Sequence, residues 1–120
     1  MNDGNFLTLG RALEIARHAT LTLQGLEFRA RVGGDEGNDI TVAYTVGSAL
    51  AISVTGKVIA ITIEADTTIQ QIVNLIRATS AANALVDVEV LSPANTVAEA
   101  VAATSLAGGD SYTYALVQSI

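Results

Sequence analysis

The residues able to do chemistry are few. His18 is the single histidine among 120 residues, and there is no cysteine. Acyl transfer by a serine needs an imidazole to take the hydroxyl proton and an acid to orient that imidazole. No Gly-x-Ser-x-Gly elbow accompanies His18, and its neighbour Arg17 marks it as a surface residue rather than a base. Asp35, Glu36, Asn38 and Asp39 make an oxygen-rich run of the type that binds hard cations. The order of the calcium loop, Asp-x-[Asp/Asn]-x-[Asp/Asn]-Gly, is broken, because Gly37 stands where the first inner ligand belongs. The run therefore reads as a glycine-rich turn whose Asp and Asn side chains bond nearby backbone. Asp87 and Glu89 share one face of a strand with nothing to bury either, so they do not read as a glycosidase acid–base pair. Gly33-Gly34 and Gly108-Gly109 lead into no helix with a lysine, which argues against a phosphate loop. The expectation is a non-enzyme with no catalytic residues, no metal site and no cofactor.

Charge narrows the partners. Twelve acidic residues against six basic ones give a net charge of −6. Phosphate backbones are gripped by clustered Lys and Arg. Here Arg11, Arg17, Arg29, Arg31, Lys57 and Arg77 form no basic run, so no nucleic acid and no anionic membrane is expected as a partner. The aromatic residues Phe6, Phe28, Tyr44, Tyr112 and Tyr114 are scattered and make no stacking platform. The start Met1-Asn2-Asp3-Gly4-Asn5 lacks the positive region of a secretory signal. No apolar run approaches the roughly 18–20 residues of a membrane span, and the expectation is a soluble protein. Hydrophobic residues make up 50% of the chain and charged residues only 15%, which leaves little with which to coat a free surface. Apolar surface without a charged coat marks contact with other subunits. Assembly is expected, the alternative being a well-buried monomer with a Thr/Ser/Ala-rich coat.

Periodicity supplies the elements that would build such a surface. Residues 1–18 read as an N-terminal arm in which Phe6, Leu7 and Leu9, flanked by Gly4 and Gly10, are candidate intersubunit contacts. Residues 19–120 read as a single α+β domain. Leu21 and Leu23 alternate with threonines; Leu26, Phe28, Ala30 and Val32 alternate with Glu27, Arg29 and Arg31. Gln24-Gly25 permits a hairpin between the two runs. Beyond the 33–39 loop, the runs 40–46, 50–54 and 58–64 read as an antiparallel meander turned by Gly47-Ser48 and Gly56-Lys57. The period then changes from two to 3.6. Ile69, Ile72, Val73 and Ile76 fall on one face of a main amphipathic helix spanning about 67–79, opened by a capping box of Thr67 and Gln70. That stripe is expected to cover the meander. Val86, Val88 and Val90 make a further strand, stopped by Pro93. The stretch 95–103 admits a short helix or a strand, and 112–118 reads as a last β run.

The order of these motifs carries a resemblance. The stretch Leu26-Glu-Phe-Arg-Ala-Arg-Val-Gly-Gly-Asp-Glu-Gly-Asn38-Asp-Ile-Thr-Val-Ala-Tyr44 resembles a segment recurrent in tailed-bacteriophage virion proteins, above all contractile tail sheath proteins. There an aromatic-x-Ala strand passes through Gly-x-x-Gly-Asn into an Ile-x-Val strand. Val54-Thr-Gly56, the strand Ile59 to Ile63, Thr67-Thr68 opening a helix, Leu85-Val86 and Leu106-Ala-Gly108-Gly109-Asp110 follow in the same order. The likeness runs from about Leu26 to Asp110. Most of the body of a sheath subunit has no counterpart here. The resemblance therefore implies a small virion structural protein, a capsid decoration (cement) or head–tail accessory protein that binds other virion subunits and copies of itself. A tail sheath-related or tail tube-associated component is the alternative within that class. A small ligand- or cation-binding module using the 33–39 loop is the alternative outside it. The resemblance implies no catalytic residues, and virion localisation after synthesis in a bacterial host.

Overall fold

The computed structural model describes residues 16–111. The candidate contacts Phe6, Leu7 and Leu9 and the run 112–118 lie outside the described residues. The architecture is α+β, with seven strands in two mostly antiparallel sheets, a main helix and a short second one.

In the first sheet, β1 (Thr20–Leu23) and β2 (Leu26–Ala30) form a hairpin, and β6 (Val86–Val90) pairs antiparallel with β2. The hairpin turns at Gln24 and Gly25, whose φ angles are 52° and 87°. Two positive φ values in a two-residue loop give the mirror-image turn whose twist suits paired strands. Alternation sends Leu26, Phe28 and Ala30 inward with Val86 and Val88, and leaves Arg29, Asp87 and Glu89 exposed.

The second sheet holds β3 (Thr41–Val46), β4 (Ala51–Thr55), β5 (Val58–Ile63) and β7 (Val101–Ser105) in the order β4-β5-β3-β7. One feature departs from the expected meander: β5 lies between β3 and β4 and runs parallel to β3. Burial explains the order. Ile59, Ile61 and Ile63 are all fully buried, whereas β4 offers only half-buried Ile52 and Val54. The more apolar strand takes the centre, and the strand of Ala, Ser and Thr is left at the edge. The open question at 95–103 resolves as a loop leading into β7, which pairs antiparallel with β3 through an irregular register between Val42 and Tyr44.

Helix α1 (Ile69–Ala78) and the short α2 (Ser80–Leu85) connect β5 to β6. The stripe Ile69, Ile72, Val73, Ile76 is completely buried. The capping box sits one residue later than expected: Thr68 Oγ1 accepts the Gln71 N–H, and Gln71 Oε1 accepts the Thr68 N–H at 2.8 Å. Thr67 is unavailable, because it is buried and its Oγ1 accepts the Glu64 N–H at 2.8 Å. The stripe was expected on the second sheet alone. Instead α1 packs against β6 of the first sheet as well as β4 of the second, because α2 returns the chain directly into β6 beside its own helix. One hydrophobic core thus joins both sheets and α1.

Tyr44 lies in that core at 1% exposure, and its hydroxyl has no hydrogen-bond partner among the described residues. Burial pushes the phenol well above its usual pKa and keeps it neutral. Tyr44→Phe removes a buried hydroxyl that gains nothing there. Its stability should match or exceed that of the wild type by up to about 1 kcal/mol in a denaturant melt. Ile72→Asp instead buries an unpaired carboxylate and should unfold a domain of ordinary marginal stability, read as loss of the cooperative thermal transition.

Candidate functional site

The glycine-rich run 33–39 is a clamp between distant parts of the chain. Asp35–Asp39 form a 3₁₀ helix rather than an open loop. Gly37 is buried beneath it, where a Cβ would come 2.7 Å from the Ala30 Cβ and 3.0 Å from the Ala19 Cβ. The Asn38 side chain then meets the backbone of Gly109 from both sides. Its Nδ2 donates to the Gly109 carbonyl at 3.0 Å, and its Oδ1 accepts the Gly109 N–H at 2.9 Å. Gly109 has to be glycine, since a Cβ would collide with the Gly34 carbonyl oxygen. Asp39 Oδ2 lies 3.8 Å from Lys57 Nζ, and Asp35 Oδ1 accepts the Ser111 hydroxyl at 3.4 Å. Among the described residues no three His, Cys, Asp or Glu side chains converge as a metal centre would require.

His18 lines an open cleft of about 270 Å³ with Arg29, Ala30, Arg31 and Asp87. Its Nδ1–H donates to the Ala30 carbonyl at 2.7 Å, which fixes the ring to the sheet. Arg31 is committed to Asn83, donating to its carbonyl and, at 2.8 Å, to its Oδ1, and lies 3.8 Å from Asp87. No hydroxyl lines this cleft, so no nucleophile meets the imidazole there. Asp87 and Glu89 are exposed on the outer face of β6, and the register sets Asp87 opposite Arg29 and Glu89 opposite Glu27. A second cavity, where the two sheets meet the 3₁₀ helix, holds about 70 Å³ and is mostly aliphatic. That is well below the roughly 300–1,000 Å³ of small-molecule sites.

The two sheets present opposite kinds of outer face. The first carries Glu27, Arg29, Arg31, Asp87 and Glu89. The strands of the second carry no charged residue, and the exposed Glu64 follows directly after β5 at its margin. Its outward rows, read across the strands, are Thr55–Val58–Thr41–Ser105, Ser53–Ala60–Ala43 and Ala51–Thr62–Thr45. Val58 is 48% exposed within this face. Lys57, at the β4–β5 turn, is turned away to the Glu36 carbonyl, 3.1 Å from its Nζ, and to Asp39. Adjacent strands of mostly small, uncharged side chains offer little steric or desolvation resistance to a protein partner. The shortage of charge is legible in the sequence, but its place on one sheet is not, because that requires knowing which strands are neighbours.

At one margin of this face lies β4. Its side chains are Ala51, Ile52, Ser53, Val54 and Thr55, in regular register with β5 and without charge, proline or bulge. No family model, curated protein or solved structure matches this chain.

Asn38→Ala removes both bonds to Gly109 and leaves that peptide short of partners. A loss of roughly 1–3 kcal/mol is expected in urea unfolding. Asn38→Asp keeps the acceptor but loses the donor to the Gly109 carbonyl, and should also fall below wild type.

Proposed function

We propose that the chain is a non-enzymatic structural subunit that works by packing against neighbouring protein subunits, in the virion of a tailed bacteriophage. The uncharged outer face of the second sheet carries this reading. A chain with net charge −6 has acidic residues available for solvation, yet none stands in any of the outward rows of four strands. Water-facing sheets turn polar residues outward, and the first sheet of this molecule makes most of these charged, whereas the second uses only Ala, Thr, Ser and Val58. The bare face is therefore the surface to be covered, and its Ala, Thr and Ser side chains suit close approach of another backbone.

The setting rests on the resemblance of the Leu26–Asp110 motifs to tail sheath-type segments of phage virion proteins. The Gly34-x-x-Gly37-Asn38 and Leu106-Ala-Gly108-Gly109-Asp110 motifs of that resemblance are physically one device here, since Asn38 binds Gly109. A capsid decoration (cement) or head–tail accessory role fits a small subunit that adds contacts without chemistry. Its partners are then other virion proteins and copies of itself, with no nucleic acid and no membrane.

The test uses particles of the phage that encodes the chain. Mass spectrometry of purified particles should find it, and added recombinant protein should co-sediment with particles lacking it. Ala60→Glu places a charge in the middle of the bare face, where its exposed side chain should change folding stability by under about 1 kcal/mol. The variant should melt near the wild-type temperature and stay in the supernatant. Absence of the chain from particles, or undiminished binding of Ala60→Glu, would contradict the proposal.

A further inference from the structure

We infer that β4 is a self-pairing edge: two copies of the chain join β4 to β4 antiparallel about a two-fold axis at Ser53, merging their second sheets into one eight-stranded sheet. The inference deepens the structural-subunit reading by naming a partner, a second copy, and the backbone that meets it. It begins with how the other edges are treated. The free side of β1 is taken by Ala107, which exchanges two backbone hydrogen bonds with Thr20 at 2.8 and 3.0 Å. On β6, Asp87 and Glu89 are exposed, and the Arg77 guanidinium donates to the Val88 carbonyl at 3.1 Å. On β7 the register with β3 is broken. Each of these is a known way of blocking strand addition. β4 has none of them, and among the described residues no backbone partner beyond β5 is bonded to it.

Self-pairing is favoured over a different partner by the strand's own symmetry. An antiparallel pair centred on Ser53 sets Ala51 opposite Thr55 of the second copy, Ile52 opposite Val54, and Ser53 opposite itself. A two-fold contact brings like residues together near its axis, so any charge there would repel its own mate. β4 carries no charge, and the Lys57 ammonium that follows it is held 3.8 Å from the Asp39 carboxylate and faces the Glu36 carbonyl. On the inner side, Ile52 and Val54 are only half-buried. Cross-strand pairing would cover each with the other and extend the core. On the outer side, Ala, Ser and Thr continue the bare face without interruption into the second copy. The pairing therefore doubles the uncharged surface offered to the particle.

The contact is modest in size. Five residues span roughly 17 Å, short of what an interface of about 1,600 Å² needs. In dilute solution the pair is therefore concentration-dependent, and it gains occupancy where a particle holds copies side by side.

The absence of cysteine makes a direct test possible in the full chain. Ser53→Cys puts a single thiol on the axis, within disulfide reach of its symmetry mate. Oxidised glutathione should convert concentrated S53C protein to covalent dimer at least about tenfold faster than A51C protein, whose thiol would face Thr55. Mixing A51C with T55C protein should give the crossed dimer. Ser53→Lys and Ser53→Glu should each sediment as monomer, and their equimolar mixture should recover the dimer. Cross-linking of S53C no faster than of A51C would overturn the inference, and so would dimers of Ser53→Lys alone. Burial of β4 under a terminal segment of the same chain would give the first of these results. If S53C fails while Ala60→Glu still leaves the particle, the edge pairing is wrong and the structural-subunit reading stands.

Discussion

The pair of hydrogen bonds between the Asn38 carboxamide and the Gly109 peptide is the interaction on which the rest of the molecule depends. A carboxamide presents a donor and an acceptor side by side, as a peptide does, so Asn38 acts as a short piece of strand for the 108–110 segment. That segment arrives from β7; Ala107, just before it, exchanges backbone bonds with Thr20 in β1, and Asp110 with Arg17 ahead of β1. Asn38 thus holds in place the segment whose backbone bonds tie the end of the second sheet to the start of the first. Gly37 lets the 3₁₀ helix settle directly onto Ala19 and Ala30, and Gly109 passes beneath the Gly34 carbonyl. Two positions without Cβ room, and one amide, close the junction between the sheets.

With the junction closed by glycines and an amide, the two outer faces are left to differ. The first sheet spends its charged residues on solvent, with Arg31 bridging Asn83 and Asp87 across the sheet margin. The second keeps none on its outward rows, and Lys57 beside it is folded back against the 3₁₀ helix. Low charge is thus not spread evenly through the chain. It is concentrated on one surface and one edge.

Much of this was legible in the residue order. The alternations at 26–30, 58–63 and 86–90 and the 3.6-residue period at 69–76 located their elements, because burial on one face imposes those periods directly. Strand order was not legible. Periodicity fixes which face of a strand is buried but not which strand lies beside it, and so the place of β5 between β3 and β4 emerged only in three dimensions. The cap moved from Thr67 to Thr68 because a tertiary demand, the buried Thr67–Glu64 turn, outweighed the local pattern. The 33–39 run was read as a turn with local bonds. Its decisive bond is to a residue 71 positions away, and no local signal reports that. The edge at 51–55 was visible as a strand, but its lack of protection became meaningful only beside the guarded edges of β1, β6 and β7.

The most direct measurement is hydrogen exchange on the wild-type chain, compared between the free protein and the protein within purified particles. Those amides of β4 that face away from β5 should exchange quickly in the free chain and become strongly protected in the particle, while the outer strand β6 changes little. Protection gained on the charged first sheet with none on β4 and β5, or no difference between the two states, would contradict assembly through the uncharged face.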